Sequence, residues 1–235
     1  MEDEVYPMRI NKYLAHHKYC TRREVDELIS ARKVTINGRY AQLGDKVQAT
    51  DDVKVTFKPR TFRYFAYNKP RGIISHSPQG EEVEIVEMIP EQGVFPVGRL
   101  DKDSYGLIIL TDDGRLTDAL LNPDHEHEKE YEVVTRDTLP GFFKARMEEG
   151  VDIGGYTTRP CAVRILGDKK FSIVITEGKK HQIRRMCGAF GQSAVELRRK
   201  RIMNITLGDL KSGQYRPIKG EELKTFLSAL GFTGV

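Results

Sequence analysis

The stretch Val97-Gly98-Arg99-Leu100-Asp101-Lys102-Asp103-Ser104-Tyr105-Gly106-Leu107 decides how the rest of the chain is read. It lies between two apolar runs, Val94-Phe95-Pro96-Val97 and Leu107-Ile108-Ile109-Leu110. Both have the composition of short, largely buried strands, the second strongly so through its β-branched pair. Between them runs a polar loop bounded by Gly98 and Gly106, residues suited to turn conformations. A carboxylate at the centre of such a loop has a rigid base and little freedom, which is how a nucleophile or general base is mounted. The same spacing also suits a connection whose acids merely cap turns, and the stretch alone leaves both readings open.

Outward from that loop, the 235 residues suffice for one good core plus a small appended module. No run of about 18 apolar residues exists, so nothing is expected to span a membrane. The start, Met1-Glu2-Asp3-Glu4, has the wrong charge for a signal peptide. Cys20, Cys161 and Cys187 form no Cys-x-x-Cys pair and read as reduced thiols of a cytoplasmic protein. The net charge of +4 is uneven. Residues 8–60 hold twelve Lys or Arg against six Asp or Glu, and residues 179–201 hold eight against one. Two basic concentrations on a nearly neutral chain suggest a polyanion footprint rather than mere solubility; solvated charge faces are the alternative.

Residues 1–7 read as a loose tail. From Met8 the pattern is helical, with Ile10, Tyr13 and Leu14 at spacings of three and four. Thr21 looks like a helix N-cap, with Glu24 completing a capping box. The helix over 22–31 should bury Val25, Leu28 and Ile29. Lys33 to Arg39 reads as a strand entering an Asn37-Gly38 hairpin turn, and Val47 and 53–57 supply more strand. Arg22 and Arg23 stand at a helix N-terminus, where arginine opposes the dipole and an anionic partner relieves it. An ordinary exposed first turn is the alternative.

A linker is expected over 58–62 and a second domain over 63–235. It should open with a strand at 64–67 and a loop over 75–79. A helix over 82–88 should follow, with Val83, Val86 and Ile89 inward. Further helices are expected over 115–121, 139–149, from 178 to about 190, and over 221–230. Strands are expected near His127–Val134, 161–165, 171–176 and 197–205. Helices and strands intermix without a strict βαβ rhythm, so the fold class is α+β with a mixed, mostly antiparallel sheet.

Gly98-Arg99-Leu100-Asp101 followed by Ser104-x-Gly106-Leu107 resembles the nucleophile motif of pseudouridine synthases. These enzymes detach uracil from its ribose within RNA, turn it, and rejoin it through carbon. Residues 8–57 resemble the S4 RNA-binding domain, on Arg9-Ile10-Asn11-Lys12-Tyr13-Leu14, Thr21-Arg22-Arg23-Glu24 and Lys33-Val34-x-x-Asn37-Gly38. Lys18 departs from that pattern, in which glycine often ends the first helix. Details such as His127-Glu128-Lys129-Glu130-Tyr131, Arg185-Met186-Cys187 and Arg201-Ile202-Met203-Asn204 look like the ribosomal members acting on large-subunit (23S) RNA, type F most of all.

The resemblance implies roles residue by residue. Asp101 matches the catalytic aspartate, Tyr131 the active-site tyrosine, and Arg184 in His-Gln-Ile-Arg the basic residue that would ion-pair with Asp101. It implies RNA contacts from Arg9, Lys12, Thr21, Arg22, Arg23, Lys33, Asn37 and Gly38 in the small domain. In the large domain it implies contacts from Lys69, Arg99, Lys129, Lys179, His181, Gln182, Arg185, Arg198 and Arg201. Physical chemistry accommodates these roles: an aspartate is ionised at neutral pH, with an ordinary pKa of about 3.9, and a tyrosine offers a ring for stacking and a hydroxyl for proton traffic. Whether Asp101 attacks base or sugar, or removes a ribose proton, the residues leave open. An isomerisation requires no cofactor, and the six histidines lack a metal-ligand pattern. The expected partner is ribosomal RNA, a large-subunit stem-loop above all. No membrane and no obligatory protein partner are expected, and the chain is expected to act as a monomer. Two competing readings are an S4-type RNA-binding factor without catalysis and a glycosidase using Asp101 with Asp103, which would need facing carboxylates roughly 5–9.5 Å apart.

Overall fold

The computed structural model describes residues 6–17, 19–20, 22–56, 61–76 and 82–232. The expected Thr21 cap, the Lys18 departure, and parts of the 1–7 tail, the 58–62 linker and the 75–79 loop lie outside these residues. The chain divides into two compact units, one ending at Phe62 with Asp113–Arg115 included, the other formed by Arg63–Asp112 and the residues from Leu116 on.

The first unit contains β1 (Met8–Arg9), α1 (Ile10–His16), α2 (Arg22–Ser30), β2 (Val34–Ile36), β3 (Arg39–Tyr40), β4 (Lys46–Val47) and β5 (Val53–Val55). Ile10 and Leu14, one turn apart on α1, and Val25 and Ile29, one turn apart on α2, are buried together. They close on Val34, Ile36, Ala41 and Val47. Asn37 and Gly38 both take positive φ, 51° and 79°, the requirement of a type I′ hairpin turn.

The second unit contains β6 (Tyr64–Lys69), β7 (Phe95–Val97), β8 (Tyr105–Thr111), α3 (Arg115–Leu121), β9 (Lys129–Thr135), α4 (Phe143–Glu148), β10 (Ala162–Gly167), β11 (Lys170–Ile175), α5 (Gln182–Ala189), β12 (Ala194–Ile202), β13 (Ile205–Thr206), β14 (Tyr215–Pro217) and α6 (Gly220–Ala229). One sheet runs β10-β11-β9-β12-β8-β6-β14, with β13 on β12 and β7 on β8. Its strand pairs are antiparallel except β8 with β12, so the molecule is α+β with a mixed sheet. Phe143 and Met147 of α4 and Ile183 and Met186 of α5 cover one part of the sheet, over Val133, Phe171 and Ile173. Among the described residues no helix is long and apolar enough to cross a membrane.

Local readings shift where pairing outweighs propensity. The segment 82–88 holds only a 3₁₀ turn, Ile85–Glu87. Ile74 bridges Glu84, which keeps the segment's start extended, so Ile85 and Ile89 go inward while Val83 and Val86 stay exposed. The helix expected over 139–149 is confined to Phe143–Glu148. The last long strand spans Ala194–Ile202, not 197–205, because Ile202 and Ile205 pair across a turn.

Candidate functional site

Strands β7 and β8 pair antiparallel, with Val97 opposite Ile109, and Gly98 to Ser104 form the loop between them. Five successive carbonyls of this loop are each held. That of Leu100 accepts from Ser75 Oγ at 2.9 Å, and those of Asp101 and Lys102 accept from the backbone N–H of Ser104 (2.9 Å) and Gly72 (2.8 Å). The carbonyl of Asp103 accepts from Arg71 Nε at 3.1 Å and that of Ser104 from Lys69 Nζ at 2.7 Å. A loop pinned at five successive residues gives the Asp101 carboxylate a fixed origin.

Gly106 closes the loop at φ +105°, and a Cβ there would run into the backbone of Arg199. This is the point where β8 meets β12 in parallel register, Gly106 opposite Arg199. Glycine here is therefore a condition of the sheet joining that carries the site.

The loop opens on a cavity of about 520 Å³ lined by residues from β9, β12 and the segment before α5. Lys129 and Tyr131, two apart on β9, face it, and so do Leu197, Arg199 and Ile202 of β12. The register shift between Arg199 and Arg201 is a bulge that puts Ile202 on the cavity side in place of Arg201. The Asp101 side chain is 37% exposed, with Oδ1 3.5 Å from His181 Nε2. His181 takes φ +53° at the N-terminus of α5. Gln182 fixes the turn before it, accepting from Lys179 N–H at 2.9 Å and donating to Glu177 at 2.7 Å. Tyr131 is 7% exposed, and Arg199 Nη1 lies 3.5 Å from its hydroxyl. Burial, then the nearby Arg199 charge, lowers the pKa of both Lys69 and Lys129 to about 8.

Several expected contacts change character. Arg184 does not ion-pair with Asp101: its guanidinium donates to the carbonyls of Ala194 (2.6 Å) and Asp103 (3.4 Å), which draw it away from the carboxylate. Lys69 is fully buried and serves the loop from beneath, where RNA cannot reach it. Gln182 is buried in its turn. Arg201 is occupied by Glu128 and Glu130 at 2.9 and 3.1 Å and by the Met203 carbonyl at 2.7 Å. Asn37 clamps its own unit, donating to Asp51 and accepting from Asp52 N–H, each at 2.8 Å, beside Gly38 in the turn. Arg9, Lys12, Lys33, Arg99 and Lys179 are exposed. Lys179 lies 4.4 Å from the Tyr156 ring. Arg185 is exposed and donates to the Ile153 carbonyl, and Arg198 is half-buried. Thr21 is outside the described residues, and α2 begins at Arg22, followed by Arg23.

Two site residues escaped the sequence reading. Ser75 holds both the N–H and the carbonyl of Leu100 at 2.9 Å, and Arg199 is a buried cavity residue inside a basic run that reads as surface. The alternation Leu197-x-Arg199 was the available signal for the second.

A family model described as RNA pseudouridylate synthase matches residues 63–189, and one described as S4 domain matches residues 8–53. The Dual-specificity RNA pseudouridine synthase RluF of Escherichia coli (strain K12) is 40% identical over 223 residues, covering 92% of this chain and 77% of that protein.

The chain belongs to the RNA pseudouridylate synthase family.

An uncharacterized RNA pseudouridine synthase, YtzG, of Bacillus subtilis (strain 168) is 35% identical, covering 92% of this chain and 97% of that protein. The Ribosomal small subunit pseudouridine synthase A of Pasteurella multocida (strain Pm70) is 33% identical over 93% of this chain and 99% of its own length. A solved pseudouridylate synthase superposes with a TM-score of 0.69 at 28% identity, covering 95% of this chain and 99% of that one. The chain is accordingly a pseudouridine synthase, an isomerase of uridine in RNA, and the S4 match marks its small unit as an RNA-binding module.

Proposed function

We propose that this synthase converts a uridine of ribosomal RNA, in a large-subunit stem-loop, to pseudouridine, with Asp101 as the acting carboxylate. The observation that carries this reading is the pinned loop at 98–104, which presents Asp101 beside a cavity walled by Tyr131. Uracil in a paired stem cannot reach such a cavity, so the nucleotide is flipped out at a cost of a few kcal/mol. Arg99, exposed on the cavity rim, fills the vacated space in the helix. Tyr131 offers its ring to the flipped base and its hydroxyl to proton traffic at C5. Arg184 steadies the loop through the Asp103 carbonyl.

The small unit supplies affinity and register, through exposed cations such as Arg9, Lys12 and Lys33. The reaction rearranges one nucleoside, so we assign no cofactor, and we place the enzyme as a monomer in the cytoplasm, where ribosomal RNA is made. The test is a pseudouridine map of ribosomal RNA from cells with and without this protein, complemented with wild type or Asp101→Ala. One large-subunit position should lose its modification in the deletion and regain it with wild type alone. An unchanged map, or full rescue by Asp101→Ala, contradicts the proposal.

A further inference from the structure

The floor of the cavity is cationic. Arg199 is 3% exposed, and its Nε is used on the Leu107 carbonyl at 2.6 Å. Its Nη1 makes two long contacts of 3.5 Å, to the Arg99 carbonyl and the Tyr131 hydroxyl. Its Nη2 is buried with no acceptor among the described residues, and no carboxylate there stands in ion-pair contact with it. Arg201, across the bulge, shows the ordinary solution for such a group, two glutamates and a carbonyl. Lys129 lies on the same cavity wall, close enough for the two charges to act on each other. Ser104 is another lining residue, and its Oγ is likewise buried without a partner among the described residues. A buried guanidinium left without an anion is costly unless an anion arrives in the working state.

We propose that Arg199 is a further catalytic residue of the isomerisation: its guanidinium, which lines the cavity beside Lys129 and meets no carboxylate, binds the uracil ring as the anion it becomes when its bond to ribose breaks. This rests on the reading that the target uridine occupies this cavity. The C1′–N1 bond breaks and both electrons leave with N1, so the ring carries one negative charge spread over N1, O2 and O4. On the ribose side Asp101 either bonds C1′ or takes the C2′ proton; the charge on the ring is the same in both. The ring turns and C5 bonds C1′, releasing the Asp101 carboxylate or drawing its proton back to C2′. Forming the C5–C1′ bond takes the negative charge off the ring; C5 then loses its proton and N1 gains one, which restores the conjugated uracil ring. A backbone phosphate would meet the exposed rim, at Arg99 and Lys179; the buried floor is at the depth of the base.

The test uses the full-length protein and large-subunit ribosomal RNA transcribed with uridine or with 5-fluorouridine, whose ring anion is intrinsically more stable. Loss of the N-linked target nucleoside is followed in a single turnover. Arg199→Gln should slow the uridine reaction by about 10²–10³-fold, the effect of removing one preorganised donor from developing charge, and leave the Kd for RNA unchanged. The defect should shrink at least tenfold on the fluorinated RNA, and Arg199→Lys should recover part of it. An equal defect on both RNAs, or no defect, overturns the proposal. Should Arg199→Gln fail to fold, Lys129→Gln takes its place in the same comparison, and the same results support or overturn the proposal. Asp101→Asn keeps the two levels apart: if wild type is inactive or Asp101→Asn is fully active, the reading of the site fails, whereas an active wild type with an Arg199-independent rate sinks this inference alone.

Discussion

The chain carries positive charge in two physically different ways. On the small unit Arg9, Lys12 and Lys33 are exposed, so each is hydrated and screened when no RNA is present. In the large unit Lys69 and Arg199 are buried, and Lys129 is partly so, without a carboxylate in ion-pair contact among the described residues. An exposed cation exchanges water and counterions for phosphate, which yields affinity that salt erodes. A buried cation is already desolvated and acts on one geometry. The difference separates what holds RNA from what changes it, and each half can be broken without the other.

The largest expected effect is at the joint that builds the floor. Gly106→Val places a side chain against the Arg199 backbone at φ +105° and should cost about 3 kcal/mol or more. Denaturant unfolding of the large unit reads this, and activity should fall with it. Gly38→Ala, in a turn with open space around it, should cost about 1 kcal/mol and leave turnover intact. Equal costs at the two glycines would remove the distinction.

Lys69 sharpens it through pH. Its pKa is lowered from 10.5 to about 8 because burial and Arg199 disfavour its charge. Between those values the unfolded chain holds a proton that the folded one has released, so stability rises as pH rises through that window. Relative to Lys69→Met, wild type should gain on the order of a few kcal/mol from pH 8 to 10.5, read as the pH dependence of the unfolding free energy. A flat difference would mean that Lys69 is as free as a surface lysine.

How far this contrast was legible in sequence depended on locality. Asn37-Gly38 and the loop from Gly98 to Gly106 declare themselves, because turn chemistry is written in adjacent residues. Lys69 and Arg199 do not: one follows a strand, the other sits in a run of four basic residues, and both read as surface. Their burial comes from non-local pairing, β6 with β8 and β12 with β8. The bulge after Arg199 then divides the basic run between cavity and glutamates. The segment at 82–88 misled for the same reason, a bridge from Ile74 that no local pattern announces. The expected Arg184–Asp101 ion pair is not formed, because backbone carbonyls compete for the guanidinium.

The smallest expected effect belongs to the exposed set. Arg9→Ala with Lys12→Ala should weaken RNA binding and reduce the slope of log affinity against log salt by about 0.7–0.9 for each phosphate no longer neutralised. The single-turnover rate on saturating RNA should not change. A fall in that rate with an unaltered slope would assign these cations to chemistry.

The most direct measurement compares wild type with Asp101→Asn on the same ribosomal RNA, recording both binding and single-turnover pseudouridine formation. The account expects the Kd to stay within about twofold while the rate falls by about 10³-fold or more. An Asp101→Asn protein that still turns over at the wild-type rate, or one that loses RNA binding in step with activity, would contradict it.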